Sequence, residues 1–150
     1  MITLEMQFVA AAQELPNEEM FQSWARAIET NSAQDQEVSV RIVDESEMTL
    51  LNEQYRKKQG STNVLSFPAD LPPSVDVPFL GDIVICAPVV VREATEQGKS
   101  CDMHWAHMLV HGILHLQGYD HIDETEALQM ERLETEIMHK LGFDNPYVCL

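Results

Sequence analysis

Basic side chains are scarce in this sequence. Nine Lys and Arg stand against 25 Asp and Glu in 150 residues, a formal net charge of −16. That balance excludes a protein that coats nucleic acid through general attraction, which needs clustered Lys and Arg. The chain's one basic cluster, Arg56-Lys57-Lys58, still leaves room for a small local anion site. No C-x-x-C pair occurs. Cys86, Cys101 and Cys149 are odd in number and widely spaced, which argues for free thiols in a reducing cytosol rather than a disulfide framework. No basic n-region marks the N-terminus, so a signal peptide is not expected. The uncharged stretch from Met103 to Tyr119 carries four histidines and makes a poor membrane span. A cytoplasmic location without membrane attachment follows as the expectation. No internal repeat and no long polar linker divides the chain. With 45% apolar residues, positions 1–150 are expected to form one domain with a substantial core.

What is present reads as a mixture of strands and helices. ITLEMQF (2–8) alternates apolar and polar residues as a strand does, and VSVRIV (38–43) does the same. Between them, Met20, Phe21, Trp24 and Ile28 line one helical face. Asp44 with Glu47 has the spacing of a capping box, opening a helix expected to turn Leu51 and Tyr55 toward the core. NVLSF (63–67) and GDIVIC (81–86) read as strands separated by a proline-rich loop. Three helices follow: one from Pro88 to Gly98, one from Ser100 to Gly118, and one from about Thr125 to Gly142. The last carries Met130, Leu133, Ile137 and Leu141 on one face. The order βαβαββααα predicts an α+β fold, a small sheet flanked by helices.

The segment HGILHLQGYDH (111–121) carries the chemistry. On a helix advancing about 100° per residue, His111 and His115 project about 40° apart and one turn separated, which suits two ligands of one ion. Gly118 permits the chain to turn back, so that His121 can close the site. Three neutral imidazoles leave a fourth coordination position, the arrangement of a catalytic rather than a structural zinc. Spacing alone also allows His107 with His111 as the helical pair; the relation to Gly118 and His121 favours 111 and 115. Packing or supporting roles are expected for His104 and His107 and a surface position for His139, while Cys101 stays open as a ligand. Zinc peptidases of this outline place a glutamate base after the first histidine, where Gly112 stands here, and this weakens a peptidase reading.

HGILHLQGYDH resembles the signature of the YbeY family of bacterial rRNA maturation factors, metal-dependent single-strand endoribonucleases. LNEQYRKKQGSTNVLSFP (51–68) and LGDIVIC (80–86) resemble two further blocks of that family, in the same order and spacing. The resemblance runs from the first strand to the last helix. It implies a mostly parallel sheet flanked by helices and one zinc ion on His111, His115 and His121. It also implies a functional arginine at Arg56, in a cleft near the metal. Implied partners are single-stranded rRNA precursors, the small ribosomal subunit and assembly factors such as the GTPase Era. Such chemistry dispenses with the glutamate, because RNA brings its own 2′-hydroxyl nucleophile and Arg56 can meet developing negative charge. Ser61, Thr62, Asn63 and Asp82 are further candidates for the cleft, and Lys57 and Lys58 are expected to face solvent. Two alternatives remain: a non-catalytic assembly factor, with zinc stabilising the helix and turn, and a zinc metallopeptidase-like hydrolase.

Overall fold

A computed structural model of the chain describes residues 1–10, 15–28, 35–57, 59–69, 78–119 and 123–147. The alternating segments form β1 (Ile2–Phe8) and β2 (Gln36–Val43), with α1 (Glu18–Arg26) between them. Helix α2 (Glu45–Leu51) passes into a single π-helical turn (Asn52–Arg56), followed by β3 (Val64–Pro68) and β4 (Phe79–Cys86). Helices α3 (Ala87–Glu96), α4 (Cys101–Leu116) and α5 (Glu124–Lys140) complete the order. The fold is α+β, with a four-stranded mixed sheet in the order β1-β2-β4-β3. β1, β2 and β4 run parallel, and β3 pairs antiparallel with β4 at the edge.

β4 explains why GDIVIC reads as an unbroken apolar run. Its Ile83 and Ile85 enter the main core under α1 and α4, while Val84 and Cys86 enter a smaller core with Met48, Leu65 and Val89. A strand covered on both faces needs no polar alternation. Helix α4 lies at the centre of the main core, with Trp105, Leu109 and Ile113 fully buried. Phe21 of α1 meets Trp105 edge-on at 5.7 Å.

Two local expectations need correction. Asp44 does cap α2, accepting from the Glu47 amide at 3.0 Å, but the Glu47 carboxylate does not reach back to close a capping box. It is taken by Arg41 of β2 in a two-pronged contact at 2.5 and 2.9 Å, a stronger partner than one backbone amide. Tyr55, expected toward the core, is 59% exposed. Met48 and Asn52 form the buried stripe of α2, and the π-helical turn beyond Asn52 rotates Tyr55 off it. No helix among the described residues is long and apolar enough to cross a membrane.

Candidate metal centre

Four histidines descend one face of α4. Ring centroids are 6.2 Å apart between His104 and His107, 6.2 Å between His107 and His111, and 4.7 Å between His111 and His115. Burial falls along the row: His104 and His107 are buried, and His111 and His115 are half-buried. His111 and His115 stand in the last turns of the helix, where the negative end of the helix dipole favours a cation.

The helix ends as its sequence requires. The Gly118 amide donates to the His115 carbonyl at 3.0 Å and the Tyr119 amide to the Leu114 carbonyl at 3.1 Å. This is a Schellman turn, which places Gly118 at φ +99°, a conformation that glycine adopts without strain. The turn carries the chain on toward His121, which lies outside the described residues, as do Asp120, Lys58 and Cys149.

Behind the row stands a residue that the sequence reading passed over. Glu134 of α5 is fully buried. Its carboxylate lies 2.6 Å from His107 Nε2 and 2.8 Å from His111 Nδ1, and it also accepts from the Tyr147 hydroxyl. Burial alone pushes the Glu134 carboxyl up, but the hydrogen bonds from His107 and His111 outweigh it and hold the group at about 2. Burial, and then the bond to Glu134, push the Tyr147 hydroxyl up. His107, His111 and Glu134 bring one ligand-type atom each within 4.8 Å of one another, a cluster that can hold a metal ion.

In front of the row opens a cleft of about 600 Å³, lined by His111, His115 and Arg56 together with residues of β3 and the segment before it. Arg56 reaches this wall because of the π-helical turn. The Lys57 amide closes that turn on the Asn52 carbonyl, and Lys57 itself takes φ +55°, which ends the helix sharply. The buried Asn52 side chain then pins the returning loop by donating to the Gly60 carbonyl at 2.9 Å. Of the described residues lining the cleft, none is acidic, although the chain carries 25 Asp and Glu.

The family model for Endoribonuclease YbeY matches residues 5–142 of this chain. The chain belongs to the YbeY family. It is 52% identical over 145 residues to the Endoribonuclease YbeY of Cellvibrio japonicus (strain Ueda107), covering 96% of this chain and 82% of that protein. The solution structure of TM1509 from Thermotoga maritima shares the fold, with a TM-score of 0.60 at 24% identity over 99% of each chain.

Position 112 takes on a different meaning in this YbeY-family chain. A Cβ at Gly112 would lie 3.0 to 3.3 Å from three atoms of the Ile83 side chain. The residue is buried where α4 crosses β4, and the Ser66 hydroxyl donates to its carbonyl at 3.3 Å. A side chain here would therefore enter the core beside Ile83. Gly112 is a close-packing residue, and a carboxylate in its place would be buried rather than presented to substrate.

The other candidates separate by position. Thr62 and Asn63 line the cleft. Asn63 also donates to Glu93 at 3.1 Å, and Glu93 in turn bonds His104 Nε2 at 2.9 Å. Asp82 is exposed on β4 and faces a second groove, shared with Arg41. Cys101 opens α4, so the helical rise sets it about 21 Å from His115, too far to share an ion with it. Lys57 and His139 are exposed. Glu134 was detectable in principle. It falls four residues after Met130 and three before Ile137, a charge set inside the apolar stripe of α5.

Proposed function

We propose that this YbeY-family chain is a zinc-dependent endoribonuclease that cleaves single-stranded RNA during rRNA maturation and ribosome quality control. The observation that carries this reading is the cleft: Arg56, His111 and His115 line it together, with no acidic residue among its described lining. In a chain at −16, keeping carboxylates off this wall favours an anionic substrate at the one place where it must approach. The same composition counts against a peptidase, which needs a carboxylate base at the reacting centre.

His111, His115 and His121 would hold one ion. The donor set fits: two imidazoles stand one turn apart at a helix C-terminus, and the back nitrogen of His111 is anchored on Glu134. A bound zinc ion supplies Lewis-acid stabilisation of charge on a phosphodiester. Arg56 contributes its planar guanidinium, which can donate two parallel hydrogen bonds to the nonbridging oxygens as charge builds on them. Thr62 and Asn63 offer hydroxyl and amide contacts for orienting the strand. RNA brings its own 2′-hydroxyl as an internal nucleophile, and direct attack by hydroxide is the other route open to this site. The acidic exterior gives little general attraction to RNA, so delivery by a protein partner fits this chain. The small ribosomal subunit and the GTPase Era are the proposed candidates, and the cytoplasm is the proposed compartment.

The test is an RNA-cleavage assay with metal analysis on wild type, His115→Ala and Arg56→Ala. Arg56→Ala is expected to lose roughly 100- to 1,000-fold in cleavage rate, the usual cost of one transition-state donor, while retaining its metal. His115→Ala is expected to lose both metal and cleavage. Unchanged cleavage in both variants would sink the reading.

A further inference from the structure

We propose that Glu134 is the positioning residue of the metal centre: its carboxylate fixes the tautomer and ring orientation of His111, while His107 serves as a second prop for that carboxylate rather than as a ligand. This rests on the reading that His111 and His115 hold the ion. The distances support it. A carboxylate without its proton only accepts hydrogen bonds, so contacts of 2.6 Å to His107 Nε2 and 2.8 Å to His111 Nδ1 place a proton on each of those nitrogens. They are the lengths of charge-assisted hydrogen bonds. Two ligands at about 2.1 Å from a tetrahedral zinc stand farther apart, roughly 3.4 Å.

The consequence for His111 is geometric. Its ring divides two spaces: one side meets Glu134 and Tyr147, and the other faces the cleft that contains Arg56 and His115. With Nδ1 protonated and held by α5, the lone pair on Nε2 points to the cleft side. Metal-ligating histidines are commonly oriented by such an outer carboxylate. The His107 arrangement agrees. Protonation at Nε2 leaves a lone pair at Nδ1, a buried atom without a hydrogen-bond partner among the described residues, and a buried acceptor is left without a partner more readily than a buried N–H. Glu134 accepts from three donors on two segments, His107 and His111 of α4 and Tyr147 beyond α5. A glutamine offers one accepting oxygen and a donating amide, so it cannot satisfy all three. One imidazole must then reverse its tautomer or swing away.

The test uses the intact chain, with Zn²⁺ as the probe. In metal-free wild type, long-range ¹H–¹⁵N spectra of the imidazoles read the tautomers directly. The expected result is the proton on Nδ1 of His111 and on Nε2 of His107. A His111 proton on Nε2 overturns the proposal without any variant. Chelator competition then compares wild type, Glu134→Gln and His115→Ala. Glu134→Gln is expected to weaken Zn²⁺ binding roughly 10- to 100-fold. Unchanged affinity in a folded Glu134→Gln, with affinity lost in His115→Ala, overturns this proposal and leaves the ligand assignment standing. Affinity lost in Glu134→Gln but kept in His115→Ala puts the ion inside the His107–His111–Glu134 cluster and overturns both. Should Glu134→Gln fail to fold, the wild-type tautomers decide alone.

Discussion

His104 and His107 share a helix, a face and a spacing with His111 and His115, yet the two pairs stand in different surroundings. The upper pair is buried, and each member bonds a glutamate: Glu93 of α3 for His104, Glu134 of α5 for His107. The lower pair borders the cleft and stands at the C-terminal end of α4. Identical side chains at helical spacing thus divide into supports and candidate ligands. The division follows from what packs against each turn. Helices α3 and α5 supply carboxylates to the first half of the row, whereas the second half lines the cleft together with Arg56 and residues of β3. His111 belongs to both settings, with one nitrogen on Glu134 and its ring on the cleft wall.

The largest effect should come from exchanging one member of each pair. His115→Ala is expected to weaken Zn²⁺ binding by more than the roughly 100-fold that marks the loss of an outer partner. His104→Ala should leave it within about twofold, the scatter of distant and independent sites. Comparable losses in the two variants would erase the distinction between the halves of the row. Titration of each variant with Zn²⁺ against a competing chelator measures both.

A middle-sized effect tests the dry face of the same helix. Gly112→Ala should be net destabilising by about 1 kcal/mol. Crowding against the fully buried Ile83 costs about 1–3 kcal/mol, and alanine's helix propensity returns about 1. Urea unfolding of the two proteins checks the sign. A stabilised variant would show that α4 is not held this close to β4.

The smallest effect concerns pH. Burial lowers the His104 pKa, and the hydrogen bond to Glu93 only partly restores it. The unfolded chain therefore takes up this proton first. Stability is complete above the unfolded value near 6.5 and falls as pH drops from there toward the lowered folded value. His104→Leu should flatten that part of the curve between pH 7.5 and 5.5 in urea titrations. An unchanged slope would mean that burial does not hold His104 uncharged in the folded chain.

Much of this was legible beforehand because local rules happened to agree with the global fold. Ser100, Gly118 and Gly142 mark helix ends by short-range hydrogen bonding, so the element order could be read directly. The paired spacing of His111 and His115 is likewise a property of one helix. Tyr55 escaped because a π-helical turn depends on closing the chain onto Asn52, which no periodicity announces. Glu47 went to Arg41 because a strand six residues earlier brought a guanidinium within reach. In the sequence Gly112 stands out by the glutamate it replaces. Its reason is the Ile83 side chain, which lies 29 positions earlier and touches it only after α4 docks on β4.

The α+β order, the helix that carries the histidines and the turn that follows them are written in local sequence, since each depends on residues within a few positions of one another. The packed molecule shows which imidazoles are dry and which face the cleft, that Arg56 lines the same wall, and that the buried carboxylate of Glu134 stands behind His111. Those facts join α2, β3, α4 and α5 across long stretches of chain. They are settled by packing between elements, which local patterning cannot encode.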